Sequence, residues 1–218
     1  MKQGVRWAIA GMVLAALLAA GGCKLLNSPP VANFTWSPME PLARTEVRFE
    51  STSTDTGGLF GGGGIVSYNW DFDDGDSASS ANPKHEFTKS GEYDVTLTVT
   101  DGSGASHSVT KRVEITASLD GTWRGYIVDP GLLQTAMDLV INHSASGGIQ
   151  GTAYMLQATL TCSGMSFNPT TKQVRFDLVD LGIRLDGTLD ASETRIQGSW
   201  SVLGAPLQVF TWDVQLQN

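Results

Sequence analysis

The fold is decided by the stretch GEYDVTLTVTD at residues 91–101. Its apolar residues Tyr93, Val95, Leu97 and Val99 alternate with polar residues. Because successive side chains of a strand point to opposite faces, this pattern predicts a β-strand with one buried and one solvated face. Further strand-like segments, separated by turn-forming Gly, Ser, Asp and Pro, lie on both sides of it. Many short strands at this spacing favour a β-sandwich.

Three segments together resemble a known family. They are PVANF at residues 30–34, VSYNWDFDDGD at 66–76 and GEYDVTLTVTD at 91–101. In this order and spacing they resemble the PKD domain, an immunoglobulin-like sandwich of surface and secreted proteins. The resemblance covers residues 29–117. It implies that Trp70 is a core aromatic residue and that Tyr93 is a corner tyrosine at the start of a strand.

The chain departs from the family pattern at two places. Asp73 stands where the family usually has glycine, and Asp is tolerated at positive φ less well than Gly. We therefore expect a strained turn at this position. The second departure is the glycine-rich stretch 57–64, where Phe60 is a candidate contact residue for a partner; a loop insertion without selected contacts is the alternative.

After residue 117 the pattern becomes a β-meander. Alternation and short turns predict eight strands, at residues 121–128, 134–142, 149–156, 158–163, 173–180, 182–189, 194–202 and 208–216. Eight sequential antiparallel strands with one apolar face remove their exposed edges by closing into a barrel. The sequence thus predicts an all-β protein, with an N-terminal immunoglobulin-like (PKD) β-sandwich at 29–117 followed by an antiparallel eight-stranded up-and-down β-barrel at 118–218.

The barrel segment resembles the lipocalin- and avidin-like (calycin) barrels through GTW at residues 121–123 and GSW at 198–200. Such barrels hold one small ligand or are filled by side chains. Several large aromatic residues compete for this interior, so we expect a filled core. If a pocket exists, Trp123 and Trp200 are the candidate lining residues.

The first residues predict export. Lys2 and Arg6 precede an apolar run at residues 7–20, which is too short to span a membrane and is typical of a signal peptide. The following AGGC, residues 20–23, resembles the lipobox of bacterial lipoproteins. The resemblance implies a signal peptide at 1–22, a lipid (palmitate) anchor on Cys23 and a short tether at 23–28. An ordinary signal peptide is the alternative.

The expected location is the bacterial cell envelope, where the lipid anchors the protein to a membrane. Lys24 is not the aspartate that retains some lipoproteins in the inner membrane, so a Gram-negative source favours the outer membrane. The full chain has a net charge of −8, and cleavage would remove the two positive charges of Lys2 and Arg6. An acidic chain of this kind has no electrostatic reason to bind nucleic acid.

No metal or other cofactor is expected. The aspartates at residues 71–76 are explained by turn chemistry, and their spacing does not match a calcium-binding EF-hand loop. Calcium near Asp55 remains the alternative, because some PKD relatives bind calcium in that region. Cys162 is interpreted as a small buried apolar residue rather than a nucleophile.

The chain is predicted not to be an enzyme. His85 and His107 fall in strand-like segments and are interpreted as surface polar residues, with no nucleophile motif or zinc-spaced pair beside them. The leading hypothesis is a lipid-anchored envelope protein whose sandwich is a spacer or a contact module for protein or polysaccharide. The alternatives are a carrier of a small apolar ligand in the barrel and an accessory module of a surface enzyme complex.

Overall fold

The computed structural model describes residues 27–57, 64–128, 134–144, 148–156, 158–204 and 210–217. These residues form strands and turns with one 3₁₀ turn at Val179–Leu181, so the all-β prediction is confirmed. They divide into two units. The first contains residues 27–37, 47–85 and 92–113, and the second contains residues 38–46, 86–91 and 114–217. Within the described ranges, no helix is long and apolar enough to cross a membrane.

Two sheets form the predicted immunoglobulin-like sandwich. One has the strand order β1-β2-β5 and the other has the order β4-β3-β6-β7. The strands are β1 Phe34–Ser37, β2 Glu46–Ser51, β3 Ile65–Asp71, β4 Ser77–Ala78, β5 Lys84–Glu86, β6 Gly91–Asp101 and β7 Ser106–Ile115. Along β6, the residues Val95, Leu97 and Val99 are fully buried. The alternation in this strand therefore identified its buried face correctly.

Trp70 is the centre of the aromatic core of the sandwich, as the resemblance implied. It is fully buried, and its ring meets Phe34 edge-on at 5.1 Å and Phe49 at 5.6 Å between centroids. Its indole Nε1 donates a hydrogen bond of 2.9 Å to the carbonyl oxygen of Ser80. This bond satisfies the polar group of a large side chain that would be costly to bury without a partner.

The turn after β3 adopts the strained backbone that the sequence predicts. Asp73 has a φ of 63°, in the left-handed region, and Gly75 follows with a φ of 99°. The Asp73 backbone N–H donates to Asp71 Oδ1 at 3.0 Å, and Asp73 Oδ2 accepts the N–H of Asp94 at 3.0 Å. These side-chain bonds explain why an aspartate is accepted at a position that suits glycine.

The turn between β6 and β7 is organised by one buried carboxylate. Asp101 is only 1% exposed, and its Oδ1 accepts the backbone N–H groups of Ser103 and Ala105 at 2.8 Å each. The side-chain amide of Asn27 donates to Oδ2. The hydrogen bond from Asn27 and these backbone donors hold the pKa of Asp101 below its usual range.

Strands eight to fifteen form a closed antiparallel barrel. They are β8 Gly121–Val128, β9 Thr135–His143, β10 Ile149–Met155, β11 Ala158–Asn168, β12 Gln173–Leu178, β13 Ile183–Leu189, β14 Arg195–Val202 and β15 Phe210–Gln217. Each strand pairs with the next, and β15 pairs with β8. The predicted up-and-down barrel is therefore confirmed, and its strands lack free edges.

Two predicted strand ends are wrong. Strand β11 runs to Asn168 rather than 163, because a bulge between Ser163 and Ser166 interrupts the alternation that the prediction followed. Gly164 adopts a φ of 56° at this bulge, a conformation that glycine accepts readily. Residues 179–180, predicted as the end of β12, lie in the 3₁₀ turn instead. Residues 208 and 209 of the last predicted strand lie outside the described residues.

The barrel interior is occupied by side chains from all eight strands. Trp123, Phe176 and Trp212 are at most 1% exposed, and the Phe176 and Trp212 rings meet edge-on at 5.7 Å. Nineteen buried residues form this core together. A core of this composition fits the expectation that an eight-stranded barrel is filled by its own side chains.

A pair of facing glycines makes room for Trp212. Gly187 of β13 and Gly198 of β14 are opposite each other, and Gly198 is also opposite Trp212 of β15. A Cβ atom on Gly187 would lie 2.5 Å from Trp212 Cζ2, and one on Gly198 would lie 1.9 Å from the carbonyl oxygen of Asp186. Neither position can hold a larger residue without moving the backbone or the indole.

Ion pairs fix the strand register on the outer wall of the barrel. Arg124 and Asp138 pair at 2.9 Å, Arg175 and Asp186 at 2.6 Å, and Arg184 and Asp177 at 2.7 Å. Each arginine is directly opposite its aspartate in the strand register. Because these pairs are partly exposed, each stabilises the fold by less than about 1 kcal/mol, but a slip by one residue would break it.

Substitution of Asp73 tests the strained turn. Asp73→Ala should lower the free energy of unfolding by about 1–2 kcal/mol, because alanine loses the hydrogen bond that Asp73 Oδ2 accepts from Asp94 and keeps the left-handed strain. Asp73→Gly should stay within about 1 kcal/mol of the wild type, since glycine removes the strain while losing the same hydrogen bond. Urea unfolding followed by circular dichroism measures both values. Equal losses in the two variants would contradict this explanation.

The low pKa of Asp101 predicts that its contribution to the free energy of unfolding depends on pH. Asp101→Asn should be less stable than the wild type at pH 7, because the buried donors lose an ionised acceptor. Since the folded-state pKa lies below the unfolded value, the stabilisation is complete above about pH 4 and is lost as the pH falls through the folded pKa. Urea unfolding at pH 7 and at successively lower pH should show the gap narrowing only below about pH 4. A gap that is constant with pH would refute the assignment.

Substitution of Gly198 tests the contact with Trp212. Gly198→Ala should destabilise the barrel by about 3 kcal/mol, because the added methyl group overlaps backbone atoms. Ser199→Ala, at the neighbouring outward-facing position, is the matched control and should change stability by less than about 0.5 kcal/mol. Thermal and urea unfolding measure both. If the Gly198→Ala protein is as stable as the Ser199→Ala control, the close packing around Gly198 is disproved.

Candidate functional site

A groove of about 600 Å³ crosses the outer wall of the barrel. This volume lies in the range of pockets that bind small molecules. Its lining comes from four neighbouring strands, β11 to β14, and consists of Ser166, Phe167, Asn168, Gln173, Val174, Arg175, Asp186, Gly187, Thr188, Gln197, Gly198 and Ser199. The groove therefore belongs entirely to the barrel.

The same alternation that builds the core gives the groove its polarity. Val174, Leu185 and Ile196 point into the barrel and are buried. The residues between them point outward and supply the polar side chains of the lining. They are Gln173 and Arg175 on β12, Asp186 and Thr188 on β13, and Gln197 and Ser199 on β14. Alternation in the sequence predicts that such residues face outward, but it carries no information about concavity.

The charges in the groove cancel. Arg175 and Asp186 are its only two charged lining residues within the described chain, and Arg175 Nε donates to Asp186 Oδ1 at 2.6 Å. The two side chains remain about half exposed. The groove therefore presents a paired cation and anion rather than a field of one sign.

Several hydrogen-bonding groups in the groove are free. In the described part of the chain, the side chains of Ser166, Gln173, Thr188 and Ser199 lie in the lining and have no hydrogen-bond partner in the protein. Hydroxyl and amide groups both donate and accept hydrogen bonds. The groove can therefore form hydrogen bonds with a ligand that has donors and acceptors close together.

Gly187 and Gly198, which face each other against Trp212, are both part of the lining of the groove. Their backbone groups belong to the barrel ladder, so the floor has no row of free N–H and C=O groups. An extended peptide cannot add to it as another strand, since strand addition needs a sheet edge.

Of the residues predicted as sites, Cys23 and Phe60 lie outside the described residues. Trp123 is fully buried, and its Nε1 donates to the carbonyl oxygen of Leu119 at 2.8 Å. Trp200 is half-buried, with its ring 4.2 Å from that of Phe210. Neither tryptophan lines the groove, and their ligand-lining role stays a prediction.

Asp55, the candidate calcium residue, has a backbone donor for each oxygen. Its Oδ1 accepts the N–H of Gly57 at 2.9 Å, and its Oδ2 accepts the N–H of Gly64 at 2.8 Å. The carboxylate thus links the two described ends of the glycine-rich stretch. This arrangement gives Asp55 a structural role that requires no metal.

A second cluster joins the turn after β3 to strand β5. One oxygen each of Asp74 and Asp76 and one nitrogen of His85 lie within 4.8 Å of one another, a donor set that could hold a cation. His85 Nε2 lies 2.6 Å from Asp74 Oδ2, and its ring stacks on Phe72 at 4.1 Å. His85 was expected at the surface but is 9% exposed. Asp74 and His85 are eleven positions apart in the sequence, so alternation within a strand could not reveal this contact.

The other histidines lie elsewhere and contact the backbone. His107 Nδ1 accepts the N–H of Ala32 at 3.0 Å, and His143 Nδ1 accepts the N–H of Leu119 at 3.2 Å. Burial lowers the pKa of His143. Burial also raises the pKa of the half-buried Cys162 thiol to about 11, so the thiol is protonated at neutral pH. This agrees with its interpretation as an unreactive residue.

Comparison with known proteins identifies the first part of the chain. The profile of the PKD-domain family matches residues 27–117. The pre-pro-metalloprotease PrtV of Vibrio cholerae serotype O1 is 37% identical over 106 residues, which are 44% of this chain and 11% of that protein. The chain thus spans about a tenth of the length of this curated relative.

Two solved structures are also similar. The crystal structure of the PKD1 domain of Vibrio anguillarum Epp is 35% identical, and the match covers 42% of this chain and 99% of that one with a TM-score of 0.37. A structure described as carbohydrate-binding modules of the β-sandwich superfamily is 20% identical, and the match covers 88% of this chain and 93% of that one with a TM-score of 0.39.

The family match contains all three segments on which the resemblance was based, and it includes Trp70 at the centre of the sandwich core. It ends at residue 117, before strand β8 begins. Residues 27–117 of this chain are therefore a PKD domain.

Proposed function

We propose that this protein is a non-catalytic, lipid-anchored component of the bacterial cell envelope. Its PKD domain acts as a spacer or a contact module for a surface protein or polysaccharide. The barrel adds a second contact surface, the polar groove over β11 to β14. Cys23 carries the lipid, and the protein needs no cofactor.

The observation that carries this proposal is the position of the PKD domain relative to Cys23. The family match begins at residue 27, four residues after the cysteine that ends the AGGC sequence. A lipid on Cys23 would therefore lead almost directly into a folded module. An anchor followed at once by such a domain is the arrangement expected of a protein that works at a membrane surface.

The chemistry of the described residues supports contact rather than catalysis. The three histidines lie in three different strands, and two of them accept backbone hydrogen bonds through Nδ1. The Cys162 thiol is protonated at neutral pH because burial raises its pKa to about 11. A nucleophile paired with a general base would need a different arrangement.

The carrier hypothesis is less well supported. A carrier barrel needs interior space for its ligand, whereas seventeen buried residues on the described strands of this barrel belong to one hydrophobic core. Trp123, one of the two candidate lining residues, is part of that core and bonds to the backbone of Leu119, and Trp200 is packed against the core. Filling of this kind favours a barrel that interacts through its outer wall.

Lipid attachment at Cys23 predicts that substitutions of the two cysteines have different effects on membrane association. When the full chain is expressed in a bacterium supplied with labelled palmitate, the wild type should incorporate label and sediment with membranes. Cys23→Ser should lose the label and appear in the soluble fraction, because an acidic protein without a lipid has no electrostatic attraction to a membrane surface. Cys162→Ser is the matched control and should behave as the wild type.

Fractionation and autoradiography of the three proteins measure this effect. Retention of the label by Cys23→Ser, or its loss from Cys162→Ser, would contradict anchoring through Cys23.

A further inference from the structure

We propose that the polar groove on the outer wall of the barrel binds a short, uncharged oligosaccharide. This inference deepens the proposed function, on which it rests, by naming the ligand class of the barrel's contact surface. It concerns a site made only of residues 166–199, which lie outside the PKD match.

The positive and negative charges in the lining of the groove are balanced. Arg175 and Asp186 neutralise each other at 2.6 Å across adjacent strands. A strongly anionic ligand would need cations beyond this arginine, which is already paired. A cationic ligand would compete with the arginine for the same carboxylate. The lining is therefore suited to a ligand without net charge.

The groove contains polar side chains that can both donate and accept hydrogen bonds. Gln173, Thr188, Ser166 and Ser199 place free hydroxyl and amide groups along four adjacent strands. Such groups donate and accept at short intervals. A sugar ring presents the same alternation of donors and acceptors around its edge, since each hydroxyl does both.

The groove is less suited to an extended peptide than to a sugar. The groove lies on the wall of a closed barrel, where the strands pair on both sides. A peptide cannot gain main-chain hydrogen bonds from it by strand addition. Val174, an apolar residue of the lining, is 2% exposed and faces the barrel interior.

The expected affinity is modest. Phe167 is the one aromatic residue in the described lining, and it is half-buried with its side chain packed against the barrel core. Binding would depend on hydrogen bonds made in exchange for water, each of which contributes little. Dissociation constants between about 10 μM and 1 mM are expected for this reason.

The test uses the full lipidated chain in a detergent whose head group contains no sugar. Short oligosaccharides of glucose, xylose and N-acetylglucosamine are the probes, with oligogalacturonate as a charged comparison, and isothermal titration calorimetry measures binding. At least one uncharged probe should bind within the stated range and more tightly than oligogalacturonate. Absence of binding by every uncharged probe, or tighter binding of oligogalacturonate, would overturn the proposal.

Variants locate the site. Gln173→Ala and Gln197→Ala should each weaken binding by about tenfold, which corresponds to about 1.4 kcal/mol. Gln150→Ala is the matched control, because Gln150 is an exposed glutamine on β10, outside the groove. It should bind as the wild type does. Unchanged binding by the Gln173→Ala/Gln197→Ala double variant, with its thermal unfolding also unchanged, would place the ligand elsewhere and overturn the inference.

The outcome is separable from that of the proposed function. If the groove variants bind sugars as the wild type does, the palmitate labelling of Cys23 is still expected. Conversely, loss of the lipid anchor does not alter a groove that is built from residues 166–199.

Discussion

The barrel depends on the contact of Trp212 with the facing pair Gly187 and Gly198. The indole is 1% exposed and donates through Nε1 to the carbonyl oxygen of Asp186 at 3.1 Å. Only glycine leaves room for the indole and the neighbouring backbone at these two positions. The two glycines therefore leave space for the indole, and the backbone of Asp186 satisfies its buried N–H group.

The barrel interior holds a hydrophobic core of its own side chains. The proposed function therefore places contact with a partner on the outward-facing residues. Closure removes the strand edges through which many β-proteins bind peptides. The polar groove has both glycines of the pair in its lining. The inner packing around Trp212 and the groove proposed as a binding surface thus share these two residues.

The strands were predictable from sequence because burial follows a period of two. Val95, Leu97 and Val99 identified the buried face of β6, and the barrel strands start close to their predicted positions. Prediction failed where an extra residue breaks the period, as at the bulge between Ser163 and Ser166. The positive φ of Asp73 was predictable, since it replaces a family glycine.

The sites were less predictable, because they depend on distances between strands. Alternation shows that Gln173, Thr188 and Gln197 face outward, but not that the wall there is concave. The contact of His85 with Asp74 depends in the same way on the folding of β5 against the turn after β3. In contrast, the PKD resemblance could be recognised because its residues are arranged along the chain rather than across it.

Native mass spectrometry of the protein purified from bacterial membranes tests the central claim most directly, namely that this is a lipid-anchored contact protein with a filled barrel. The account predicts the mass of residues 23–218 plus covalently attached acyl groups, with no further molecule released by collisional activation. A small apolar molecule that remains bound until activation, and that is lost in a variant with an altered barrel interior, would contradict it.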